Sequence, residues 1–224
     1  MNYLQLAQRL HRETGRSTAA PTGAASATVA QQRLFDWIAD AWRELQLEGR
    51  WRDWKWMRDP LVTTLTANQQ RYSGAELGSA NFSRWRPEGG DYYVRCSPAV
   101  ADSIAWWPVH FHSLDEFKAL RWDVIQNFST PVGWTVDNDQ TLLIWPIPAQ
   151  NYGIRIDAIK APTVLAADDD VPGMPEEYHL LLVWKALIDG AIQDAAPEVV
   201  QRAQMHHDVL KRQLLLDQGR MVHF

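Results

Sequence analysis

Leu34 to Thr66 reads LFDWIADAWRELQLEGRWRDWKWMRDPLVTTLT. At its start, Leu34, Ile38, Ala41 and Leu45 recur at helical spacing, and Phe35, Trp37 and Trp42 widen that stripe. At its end, Leu61 to Thr66 is a β-branched run with no helical period, which predicts a strand. The chain therefore changes from helix to strand within this one stretch. Thr28 is the expected N-cap of the helix and Gly49 its expected stop. Between the two halves, Trp51-Arg52-Asp53-Trp54-Lys55-Trp56 alternates rings and charges imperfectly.

Working towards the N-terminus, Tyr3, Leu6, Ala7 and Leu10 share a helical face that Gly15 can end. Arg16 to Ala27 is rich in Ser, Thr, Ala and Gly and reads as a connection. In the other direction, strand candidates follow at Asp91 to Cys96, Gly133 to Val136, Thr141 to Ile147 and Gly153 to Ile159. Asp137-Asn138-Asp139 reads as a hairpin turn. Ser113 caps a short helix, with Glu116 at the capping-box position. Past Asp168-Asp169-Asp170, Pro175 opens a third helix that is apolar on more than one face, which predicts burial on several sides. Pro197 opens a fourth, with Val199, Ala203, His206, Leu210 and Leu214 as its stripe. His206 is expected to be a hydrogen-bonded interior residue. The predicted fold is α+β: a helical bundle of the N- and C-terminal helices (residues 1–58 and 173–224) with an inserted antiparallel β lobe (residues 59–172).

Composition narrows the function. The 224 residues carry a net charge of −5, so the surplus of Lys and Arg that non-specific DNA binding needs is missing. A single cysteine, Cys96, excludes an intramolecular disulfide and suits a reducing compartment. Met1 to Leu10 shows no signal-peptide core, and no apolar run reaches the roughly 20 residues of a membrane span. Tryptophan is in excess, 12 against 6 Phe and 6 Tyr, which calls for a thick core or large protein interfaces.

Catalytic motifs are absent. His110 and His112 share a strand face, but the third and fourth ligands of a zinc site are missing, and His206-His207 diverge on a helix. The run Asp168 to Asp170 lacks the glycine and closing glutamate of a calcium loop and reads as a solvated loop. Cys96 has no activating neighbours, and no phosphate-cradling loop or nucleophile elbow occurs. Neither a catalytic residue nor a cofactor is expected. Two rival readings remain. Trp51, Trp54, Trp56, Trp106 and Trp107 could form a carbohydrate-binding surface of a receptor-binding module. Alternatively, His110 and His112 with nearby carboxylates could serve a metal-dependent hydrolase.

The order of segments resembles the head-to-tail adaptor (connector, or tail tubular) proteins of short-tailed bacteriophages. Met1 to Leu10, Leu34 to Gln46 and Trp54-Lys55-Trp56-Met57-Arg58 look like the opening of that family. Pro131 to Val136, Leu142 to Pro148, Tyr152 to Ile156 and Pro175-Glu176-Glu177-Tyr178-His179 continue the pattern, and Gly74 to Ile104 has no counterpart in it. The resemblance implies a structural virion protein made in the host bacterial cytoplasm. It implies a ring of about twelve copies under the portal protein, a bound downstream tail (nozzle) protein, and a channel that genomic DNA crosses on ejection without sequence-specific binding. No membrane takes part. By the same resemblance Met221, Val222 and Phe224 are the expected portal contacts, while Leu180, Val183, Trp184 and Leu187 on the over-apolar helix are the expected subunit interface.

Overall fold

A computed structural model of the chain describes residues 1–15, 18–52, 54–86, 95–98, 106–123, 125–194 and 197–218. The chain divides into two compact units, residues 1–57 with 162–224, and residues 58–161.

The first unit is helical. Helix α1 (Tyr3–Glu13) starts in a capping box, in which Asn2 accepts from the Gln5 N–H and Gln5 bonds back to the Asn2 N–H. Its inward face is Tyr3, Leu6, Ala7, Leu10 and His11, and Gly15 follows it with φ +65°. Helix α2 (Val29–Arg52) starts the same way from Thr28 and Gln31. The chain passes through Gly49 without stopping and stays helical to Arg52. Glycine inside a helix costs only about 1 kcal/mol, and a tertiary anchor decides the end instead: Trp54 is fully buried and its indole N–H donates back to the Leu45 carbonyl at 2.9 Å.

Pro175 precedes a single 3-10 turn at Glu176–Tyr178 before helix α4 (Leu180–Asp194), and Pro197 opens α5 (Pro197–Gln218) as expected from the sequence. Helix α4 packs against α1, α2 and α5, so its many-sided apolar character is met within the chain. Leu34, Phe35, Ile38 and Trp42 of α2 and Leu181, Leu182, Val183 and Leu187 of α4 are buried. Each such side chain removed from water contributes about 1.5–3 kcal/mol.

The second unit is the β lobe. Strand β11 (Tyr152–Lys160) is its spine. Along one edge it pairs antiparallel with β1 (Arg58–Leu65), from Arg58 opposite Ile159 to Leu65 opposite Tyr152. Its other edge is shared by β4 (Arg95–Pro98), against Tyr152 to Arg155, and β3 (Phe82–Trp85), against Ala158 to Lys160. Strand β5 (Trp107–Pro108) extends the sheet beyond β4. A second sheet runs β2 (Arg71–Tyr72), β9 (Leu142–Trp145), β8 (Gly133–Val136), β6 (His110–Phe111). Helix α3 (Leu114–Ala119) leaves β6 through the Ser113–Glu116 capping box. The expected turn closes β8 onto β9, with the Asp137 N–H donating to the Thr141 carbonyl. Leu65, Tyr72, Trp85, Cys96, Trp134, Leu142, Ile144, Ile154 and Ile156 form one core. The lobe is mostly antiparallel, but β6 lies parallel to β8, and β7 (Phe128–Ser129) lies parallel to β10 (Ile147–Pro148).

The second part of the helical unit begins at Pro162. Thr163 bonds to Gln46, and the Tyr3 and Leu4 N–H groups donate to the carbonyls of Asp170 and Asp168. These contacts lay the 162–172 stretch as a strap across the helices.

Candidate interaction surfaces

The residue types that sequence reading weighed for chemistry are engaged in packing. Asp168 Oδ1 accepts from the Ala24 N–H at 2.7 Å, and Asp170 Oδ2 accepts from the Ala166 and Ala167 N–H groups at 2.6 and 2.8 Å. Those two donors hold the Asp170 carboxyl below its ordinary range. The acidic run is thus a backbone clamp at the start of α1, not merely a solvated loop. Cys96 is buried in the lobe core, and burial pushes its thiol up to about 12. His110 is exposed on β6, and His112 meets the Trp122 ring edge-on at 4.8 Å. No group of three or more His, Cys, Asp and Glu side chains suited to a metal ion occurs among the described residues.

The described tryptophans weighed for sugar stacking pack against other side chains or backbone. Trp54 is buried and stacked on Trp56 at 4.7 Å. Arg155 lies over the Trp106 ring at 4.2 Å, and Trp107 donates to the Pro131 carbonyl. The Trp51 side chain lies outside the described residues. Elsewhere in the lobe, Trp122 and Trp145 stack face to face at 4.1 Å. The tryptophan excess is thus absorbed largely by ring-on-ring packing.

Of the residues expected at a subunit interface, Val183, Trp184 and Leu187 are buried within the single chain, and Leu180 is half-buried. Met221, Val222 and Phe224 lie outside the described residues. His206 corrects an expectation. It is exposed and stacks on the Trp184 ring at 4.7 Å, nearly parallel, instead of sitting inside with a hydrogen bond. One helical turn suffices to explain this: Ala203 and Leu214 define the inward line of α5, and His206 stands at its margin, where Trp184 reaches it.

Two surfaces had not been singled out. On α5, Met205, Val209 and Leu216 are 67%, 57% and 74% exposed and lie on the side opposite Ala203 and Leu214. Reading the helix for a second stripe, rather than stopping at the first, would have found them. On the lobe, exposed Phe111, Leu120, Ile125, Phe128 and Val132 follow one another through a stretch held by the bond from the His110 N–H to the Val132 carbonyl. Scattered exposed apolar residues are ordinary, but aligned ones mark contact surfaces.

A groove also opens between α2 and α4, lined by Trp37, Asp40, Arg43, Glu44, Leu47 and Asp189. Lys185 crosses beside it, bonded to Asp189 at 3.0 Å and to Glu44 at 3.1 Å. Burial opposes the ammonium, and these two carboxylates outweigh it and raise the Lys185 pKa.

The sequence of both units together matches one known family. Residues 1–222 match the family described as SU10 adaptor protein. The chain belongs to the SU10 adaptor family. The match spans the Gly74 to Ile104 stretch that had no counterpart in the sequence pattern. No curated protein matches the chain significantly. The adaptor is therefore a structural protein of the bacteriophage virion. None of its described helices is long and apolar enough to cross a membrane.

Proposed function

We propose that this adaptor docks as a ring under the portal protein, extends the DNA channel and recruits the downstream tail (nozzle) protein. The whole-length family match carries the reading. The outward stripe of α5 and the apolar run on the lobe support it, because a ring subunit needs contact surfaces on more than one side. A ring of about twelve copies is the expected stoichiometry. A net charge of −5 suits a wall past which DNA slides, since DNA is not held there by counterion release. Within the ring, Leu180 contributes contact area, and Val183, Trp184 and Leu187 keep the α4 surface in shape from beneath. Met221, Val222 and Phe224 reach the portal.

Mass photometry of the protein, alone and with portal rings from the same genome, tests this. Multiple copies adding to each portal ring is the expected result. No binding at any concentration overturns the reading. Removing Arg220 to Phe224 should abolish docking and leave the fold intact; unchanged docking overturns the assignment of the portal contacts.

A further inference from the structure

Two surfaces of the helical unit are complementary in pattern and charge. The α5 stripe runs from Met205 through Val209 to Leu216, and exposed Arg212 stands between the last two. At 1.5 Å per residue it is about 16 Å long. The α2 side of the groove runs from Trp37 to Leu47, about 15 Å, with Asp40, Arg43 and Glu44 between them. Each surface has apolar ends and a charged middle; Lys185 holds Glu44, which leaves Asp40 as the groove carboxylate opposite in sign to Arg212.

The groove is preformed. Trp37 is braced by Gly190, where a Cβ would stand 2.5 Å from the Trp37 ring, so α4 comes close enough to hold the indole at the rim. Lys185 already bonds Glu44 and Asp189. Neither Asp40 nor Arg212 makes an ion pair among the described residues.

We propose that the α5 stripe of one copy lies in the α2–α4 groove of a second copy. Met205, Val209 and Leu216 cover Trp37 and Leu47, and the Arg212 guanidinium donates to the Asp40 carboxylate. Trp and Arg are the residue types most often dominant at interface centres. Charge selects this pairing over a symmetric one. In a twofold α5–α5 contact the Arg212 side chains would face each other, and in a twofold groove–groove contact the Asp40 carboxylates would. The two surfaces differ, so the contact is head-to-tail. It repeats in one direction and, with the right rotation, closes a ring. This inference rests on the ring reading above and names the contact that makes the ring.

The test uses the full chain and charge reversal. Asp40→Arg and Arg212→Glu should each weaken self-association about tenfold or more in sedimentation velocity. The double variant should recover it, and so should an equimolar mixture of the two single variants, because every contact in an alternating ring is then paired. In a second arm, Asp40→Cys with Arg212→Cys should give a ladder of disulfide-linked oligomers on oxidation; Cys96 is buried and does not compete. If the wild type assembles and the single reversals assemble equally well, this contact is wrong and the ring reading stands. If neither the wild type nor the cysteine pair forms oligomers, even with portal rings present, both are overturned.

Discussion

Gln46 and Thr163 hold each other from both sides. The Thr163 N–H donates to Gln46 Oε1 at 2.8 Å, and Gln46 Nε2 donates to the Thr163 carbonyl at 2.9 Å. Gln46 is only 2% exposed, whereas Thr163 is exposed, so the two bonds sit at the edge of the helical core. The Trp42 indole N–H donates to the hydroxyl of the same threonine at 3.3 Å.

 The Trp42 side chain thereby joins the pair, and the strap is fastened to α2 at three points.

Replacing Gln46 with Leu removes both partners of the Thr163 backbone; Thr163 is exposed, so water takes over part of these bonds and each loss costs about 0.5–1.5 kcal/mol. Gln46→Leu should therefore destabilise the helical unit by about 1–3 kcal/mol. Urea denaturation followed by circular dichroism measures it. A loss under about 0.5 kcal/mol would show that the strap contributes little.

Gly190→Ala should destabilise as well, although alanine is the better helix former by about 1 kcal/mol. The added methyl would stand 2.5 Å from the Trp37 ring, and that ring is held against α4. Overpacking of this kind costs about 1–3 kcal/mol. Thermal melting reads the sign directly, and a raised melting temperature would mean that Trp37 swings away freely.

Acid should weaken the helical unit through His179. Burial is the largest influence on this ring and lowers its pKa from 6.5, while its Nε2 lies 3.0 Å from the Met174 carbonyl. The unfolded chain then takes up a proton at a pH where the folded chain does not. Stability from this group is present above 6.5 and is lost as pH falls through the lower folded value. Denaturation midpoints measured from about pH 8 to about pH 5 should fall less steeply in His179→Gln than in the wild type. Parallel slopes would remove His179 as the cause.

The Cys96 thiol should resist labelling in the native protein. Burial keeps it protonated up to about 12, and the thiolate is the reactive form. A disulfide exchange reagent at neutral pH should label it only after denaturation. Prompt native labelling would mean that the lobe core opens readily.

Local signals determined much of this protein. Apolar residues at period 3.6 or in β-branched runs depend only on the chain's own order, so the five helices and the main strands could be located, as could the Thr28 and Ser113 ends. The order of those segments also carried the family. Tertiary structure decided what no local window contains. Gly49 could not end α2, because Trp54 is anchored from outside the helix ladder onto Leu45. Asp168 and Asp170 became a clamp only when α1 and Ala24 came within hydrogen-bond reach. Trp184 and Leu187 went inside because three helices pack around α4, whereas Met205, Val209 and Leu216 were left on the surface because Ala203 and Leu214 took the inward side of α5. A residue's type sets what it gains from burial, but which residues are buried depends on neighbours distant in the chain, and only the packed fold supplies those.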